Sequence, residues 1–165
     1  MHQDVLWPEN KQELYALLAK QLEALVEDCP PVSALSNAAA LLWEALKDIN
    51  WAGFYLLKGE TLHLGPFQGK TACTLIPMGR GVCGTAAASR QIQLVGDVHQ
   101  FPGHIACDSA SNSEIVLPLM KDGILLGVMD IDAPVFSRFD EEDSAGLNAL
   151  CRILTERVNW SKGLL

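Results

Sequence analysis

Apolar residues recur at helical spacing near the start of the chain, where Leu14, Leu17, Leu18, Leu22 and Leu25 share one stripe between about Glu9 and Val26. Pro30-Pro31 cannot continue a helix, so this stripe predicts one amphipathic helix that ends before the pair. Ser33 is a good N-cap for a second helix running through Leu35, Leu42 and Leu46 to about Asp48. The period then changes. Trp51 to Leu57, Leu62 to Phe67, Thr71 to Ile76, Ile92 to Val95, Glu114 to Met120 and Ile124 to Asp132 are short, mostly apolar runs bounded by turn residues, which predicts six strands. Lys58-Gly59-Glu60 and Lys121-Asp122-Gly123 read as tight hairpin connections, so much of the sheet is expected to be antiparallel. Ala-rich Gly81 to Ser89 predicts a short helix. A closing helix starts at about Glu141, with Asp140 as N-cap and Leu147, Leu150, Leu154 and Val158 on one stripe.

Together these elements predict an α+β fold: one domain over residues 1–165, with helices on one face of a six-stranded, mostly antiparallel sheet and the N-terminal helix, about 9–27, packed on it. Ile115 to Met120 and Ile124 to Met129 are apolar on both faces, so the second face needs a cover as well. The segment from Gly96 to Asn112 is the candidate, being the longest stretch without clear periodicity. A loop of that length is usually functional or disordered, and its apolar and aromatic content argues against disorder.

Hydrophobic residues at 49% and charged residues at 19% exclude a disordered chain, and the longest apolar runs are too short to span a bilayer, so no membrane role is expected. Twelve Lys and Arg against 20 Asp and Glu leave a net charge of -8, which repels a phosphate backbone and argues against nucleic acid as a partner. MHQDVLWPEN lacks the basic and apolar regions of a signal peptide, which points to a reducing, cytoplasmic setting. The five cysteines, Cys29, Cys73, Cys83, Cys107 and Cys151, are odd in number and form no CxxC pair, so a structural disulfide framework is not expected. Inert thiols, a metal site or catalytic thiols remain.

Cys107 lies in the long loop with His99 and His104 nearby, a setting that exposes a thiol and favours its thiolate. Cys73 is expected at the inner end of a strand-like run and Cys83 at a helix start, where free amides and the dipole lower a thiol's pKa. Either could meet Cys107, and a sulfenic acid on one thiol condenses with a second. Asp97, His99, His104 and Cys107 are all plausible zinc ligands, but their spacing matches no zinc pattern, and no metal is expected.

Glu114 heads one strand, while Asp130 and Asp132 end the next on a single face. With a three-residue loop from Lys121 to Gly123, Met120 pairs with Ile124, Glu114 lies opposite Asp130, and the three carboxylates share that face. A two-residue Asp122-Gly123 turn would pair Lys121 with Ile124 and send Glu114 to the other side. The three-residue loop is the expectation here, and it implies that one acid stays protonated near neutral pH.

Asp48 to Tyr55, Leu64 to Lys70 with Ala72-Cys73, Gly79-Arg80-Gly81-Val82-Cys83-Gly84-Thr85-Ala86, Phe101-Pro102-Gly103-His104-Ile105-Ala106-Cys107-Asp108 and Ser113 to Leu119 together resemble the free methionine-(R)-sulfoxide reductase family, from about Ser33 to the final helix. That resemblance implies a GAF fold, with Cys107 as attacking thiol, Cys73 as main resolving thiol and Cys83 as a secondary one. It implies further that Glu114, Asp130 and Asp132 hold the sulfoxide oxygen and the amine, that Trp51 and Tyr55 wall the methyl pocket, and that thioredoxin recycles the enzyme. The substrate would be free methionine sulfoxide, in its R epimer. No cofactor is expected, and the chain shows no Gly-rich nucleotide loop after a strand. Cys29 and Cys151 fall outside the pattern and are expected to be structural, and a homodimer is left open. The alternatives from other classes are a non-catalytic ligand-sensing GAF module and a peroxide-reducing thiol enzyme.

Overall fold

In the computed structural model, which describes residues 5–105 and 107–165, the elements follow the expected order with shifted ends. Met1 to Asp4 and Ala106, used in the readings above, lie outside the described residues. Helix α1 (Lys11–Val26) opens on Asn10, whose side chain accepts the Glu13 amide at 3.0 Å. Helix α2 (Pro31–Ala45) begins earlier than predicted, because Pro31 occupies its first position with φ already suited to a helix. Ser33 is therefore inside the first turn and is not the cap. Left-handed Asp48 then turns the chain into the sheet.

Six strands form that sheet: β1 (Trp51–Lys58), β2 (Thr61–Gly69), β3 (Leu75–Pro77), β4 (Gln93–Val95), β5 (Ser113–Lys121) and β6 (Ile124–Ala133). Their order is β3-β2-β1-β6-β5-β4, and every neighbouring pair is antiparallel, beyond the mostly antiparallel sheet expected. Helix α3 (Gly81–Ser89) lies between β3 and β4 in the chain. Helix α4 (Glu141–Arg157) closes the fold with a capping box between Asp140 and Asp143. The third strand is much shorter than the predicted Thr71 to Ile76 run, so Cys73 belongs to a loop and not to a strand end.

Alternation along the strands divides the core in two. Ala52, Phe54, Ile115, Leu117, Leu119, Met129 and Ile131 pack under α1, α2 and α4. Trp51, Tyr55, Val116 and Val128 face the other way, against Val82, Cys83, Ala86 and Ala87 of α3. The short helix thus shares the loop's face, whereas all helices were expected opposite the loop. Helix α1 is tied to α4 by Tyr15, whose hydroxyl donates to buried Asp143 at 2.7 Å, and Gly146 leaves room for the tyrosine ring. Among the described residues no helix is long and apolar enough to cross a membrane.

The β5–β6 hairpin corrects the expected turn. Lys121 pairs with Ile124 around Asp122 and Gly123, both with positive φ, as a two-residue turn of this hand demands. Taken alone, that turn would put Glu114 on the wrong face. The register then shifts between Met120, paired with Leu125, and Leu119, paired with Gly127. Leu126 is the extra residue of a β-bulge, and it packs on the helical side as its neighbour Gly127 faces Leu119 there. One slip cancels the other, and Glu114 comes to lie opposite Asp132, not Asp130.

Candidate active site

The three carboxylates stand together on the α3 face of β5 and β6. Asp130 pairs with Val116 and Gly53, and Asp132 with Glu114 and Trp51, so Glu114 and Asp130 are diagonal neighbours. Glu114 and Asp130 are buried, and Cys83 reaches in from α3 with its Sγ 3.9 Å from Glu114 Oε1. Among the described residues, Asp130 Oδ1 is buried without a hydrogen-bond partner.

Burial is the first cause that raises the pKa of each acid. For Glu114 the charges of Asp130 and Asp132 add to it and push the carboxyl well above its ordinary range. Asp132 is likewise pushed well up by burial and by Asp130 and Asp108, while Asp130 is raised by burial and pulled back by hydrogen bonds from Glu114 and Cys83. The group therefore keeps a proton to higher pH than ordinary carboxyls would. Cys83 departs from expectation: burial, followed by the Asp130 and Glu114 charges, drives its pKa well up, so helix-end activation loses and the group stays a thiol.

Trp51 and Tyr55 form an aromatic wall beside the acids. The indole stacks on Phe67 with centroids 5.2 Å apart and on Tyr55 at 5.9 Å. Gly53 makes this possible, since a Cβ there would overlap Phe67. Tyr55 donates its hydroxyl to the Cys73 carbonyl at 2.9 Å, and Trp51 Nε1 donates to the Lys70 carbonyl at 3.2 Å, so the wall also holds the Cys73 loop.

Cys107 is joined to Cys73 in a disulfide with Cα atoms 5.9 Å apart. The loop that carries Cys107 is pinned at both ends: Asp97 caps a 3₁₀ turn at Val98–Gln100, and the Asn112 amide donates to the Ala133 carbonyl at 2.8 Å. Beyond Cys107, Asn50 donates from Nδ2 to Asp108 Oδ2 at 3.1 Å and to Ser111 Oγ at 3.0 Å. One pocket is lined by Trp51, Tyr55, Cys83, Cys107, Glu114, Asp130 and Asp132, together with Thr71, Arg80, His104, Ile105, Asp108 and Ser111. Seven of the eight predicted site residues thus share it, and the eighth, Cys73, is bonded to Cys107. Asn50, Ser111 and Arg80 were not singled out from sequence. Their signal was weak, since only Asn50 and Arg80 fall inside the motif blocks and a polar residue before a strand is ordinary.

The zinc set weighed earlier is not assembled. Asp97 accepts the His99 amide, the His99 ring meets Asn112 Oδ1 at 2.9 Å, and Cys107 is in the disulfide. Cys29 donates to the Leu25 carbonyl, and Cys151 is buried 4.0 Å from Met129 Sδ with its pKa pushed up to about 12 by burial, so neither belongs to the site.

Residues 34–156 match the family model for the GAF domain. The chain is 58% identical over 142 residues to the free methionine-R-sulfoxide reductase of Escherichia coli, covering 86% of each chain. It is 46% identical over 156 residues to the protein of the same name from Saccharomyces cerevisiae, covering 89% of this chain and 87% of the relative. Its fold is similar to the X-ray structure of free methionine-R-sulfoxide reductase from Neisseria meningitidis in complex with its substrate, with a TM-score of 0.90, 45% identity and 95% of both chains covered.

Proposed function

The chain belongs to the free methionine-R-sulfoxide reductase family and is built on a GAF domain, and from that premise we propose that it reduces free L-methionine (R)-S-oxide to methionine with Cys107 as nucleophile and Cys73 as resolving thiol. The observation that carries the scheme is the Cys73–Cys107 bond at a pocket that also holds buried Glu114 and Asp130 and half-buried Asp132, each with its pKa raised.

In the reduced protein the Cys107 thiolate attacks the sulfoxide sulfur while Glu114 protonates the oxygen, without which the sulfur is a poor electrophile. The substrate's S–O bond breaks and oxygen passes to Cys107, giving methionine and a sulfenic acid, so the thiolate supplies both electrons. Cys73 then attacks Cys107 Sγ, water leaves, and the disulfide forms. A dithiol protein of the thioredoxin type returns two electrons by exchange. Asp130, with an oxygen lacking a donor, is suited to the substrate's ammonium, and Asp132 helps hold the charge of the pair. Trp51 and Tyr55 close around the thioether end. Cys83, kept as a thiol, serves as a donor within the acid group and as a reserve partner for Cys107. This chemistry belongs to a reducing, cytoplasmic compartment.

The test is to mix the protein with thioredoxin, its reductase and NADPH, and to follow NADPH and free methionine. Methionine sulfoxide should be turned over. A ligand sensor would bind without turnover and a peroxidase would prefer peroxide, and either result overturns the scheme.

A further inference from the structure

Cys83 has the least part in the scheme above, yet it is buried directly against two of the site's acids. One donor atom from each of Cys83, Glu114 and Asp130 lies within 4.8 Å of the other two, and all three side chains are buried. A tetrahedral zinc ion with bonds of about 2.3 Å to sulfur and about 2.1 Å to oxygen sets sulfur and oxygen about 3.6 Å apart. The Cys83 to Glu114 separation of 3.9 Å is already close to that value. The donors come from α3, β5 and β6, three elements fixed by their own backbone hydrogen bonds, so little ordering is left for binding to supply.

A second observation points to a ligand. Asp130 is 5% exposed, and its Oδ1 is buried without a hydrogen-bond partner among the described residues, although buried polar atoms are nearly always partnered. A cation bound beside Glu114 and Cys83 would satisfy it. One soft sulfur and two carboxylate oxygens suit Zn2+ or Co2+, whereas Mg2+ and Ca2+ prefer oxygen alone.

We propose that Cys83, Glu114 and Asp130 form a binding site for a thiophilic divalent cation of the Zn2+ type, separate from the Cys73–Cys107 couple. Binding releases the thiol proton, and any proton on the two carboxyls, to solvent, and nothing is oxidised or reduced. Asp132, paired with Glu114 across the strands, or a water molecule completes the coordination. Because the proposed reduction also places the substrate's ammonium at Asp130, cation and substrate exclude one another.

The experiment uses the full chain oxidised to the Cys73–Cys107 disulfide, which removes the competing dithiol and leaves Cys83 free. Co2+ is titrated in, and the near-ultraviolet charge-transfer absorption of a thiolate–Co2+ bond is followed. One equivalent should bind saturably and be displaced by Zn2+. Cys83→Ser should abolish the absorption, with Cys83→Ala as the alternative should a buried serine unfold the chain. Glu114→Gln and Asp130→Asn should each weaken binding by about tenfold or more, since even outer partners of a metal site are worth that much. Cys29→Ser and Cys151→Ser should change nothing. No saturable binding, or an absorption that survives loss of Cys83, overturns the site. Methionine sulfoxide turnover is not measured, so failure here leaves the proposed reduction standing.

Discussion

Replacing Glu114 with Gln should slow methionine release in a single turnover and should also make the protein more stable at alkaline pH. Gln keeps the size of a neutral carboxylic acid and most of its hydrogen bonding, but it has no acidic proton to give. A positioned acid is worth about two orders of magnitude in rate or more, or about 2.7 kcal/mol of barrier. Glu114 is 6% exposed, and burial with the charges of Asp130 and Asp132 holds its carboxyl protonated well above the usual range. The first step should therefore stay fast until pH rises through that elevated value, and the variant should lose this alkaline limb. The stability effect has a definite sign. A group with a raised folded-state pKa contributes stability that is complete below its unfolded pKa and is lost as pH rises through the folded one. Each unit of elevation is worth about 1.4 kcal/mol, and Gln has nothing to lose. Quenched single-turnover assays and urea midpoints, both taken from mildly acidic to alkaline pH, read the two effects. A variant with wild-type rate and pH profile, or with urea midpoints that fall in parallel with wild type, would refute the role given to this carboxyl.

Cys107→Ser should give no methionine at all, whereas Cys73→Ser should release about one equivalent per chain and stall, because oxygen transfer needs only the attacking thiol; equal loss in quenched single turnover would contradict the order of the two. A substrate with its amine acetylated and its carboxylate esterified should lose about four orders of magnitude in kcat/KM, since it leaves the buried acids without their charged partner; equal rates would show that the carboxylates do not read the amine. The disulfide closes a sequence separation of 34 residues, so on chain-entropy grounds the oxidised protein should resist unfolding by about 3.8 kcal/mol more than the reduced one. Urea titrations with and without reductant measure that difference, and coincident curves would argue that the bond strains the fold as much as it constrains the unfolded chain.

Periodicity revealed most of the architecture, because each helix and long strand buries one continuous stripe. It failed where a local backbone preference outweighed the side-chain pattern. Pro31, with its φ preset, started α2 ahead of the better-looking cap at Ser33. The acid group was legible for a reason that was half wrong: its common face was inferred from a three-residue loop, while the molecule uses a two-residue turn and a bulge. The glycine at 127 was the available sign, since an isolated glycine within a strand often marks a bulge or a close backbone approach. Cys83 was misread because position at a helix end says nothing of what lies beside it. Its neighbours are acids from strands some thirty and fifty residues onward, and burial among them decides its protonation. The clamp from Asn50 to Asp108 and Ser111 was illegible for the same reason, as its partners are distant in the chain.

The bulge at Leu126 gives the hairpin one residue of slack. Strand side chains alternate, but Leu126 and Gly127 both stand on the helical side, so the extra residue is taken up without changing the face on which Asp130 and Asp132 emerge. Deleting Leu126 would close the bulge and leave Met120 opposite Leu125, Leu119 opposite Gly127 and Glu114 opposite Asp132. Deleting a second residue between Lys121 and Asp130 would have no bulge to absorb it, and would turn the acids into the helical core and Met129 and Ile131 out toward the pocket. For anyone grafting a new tip onto this hairpin, the bulge is the place where one residue can be lost without inverting the strand.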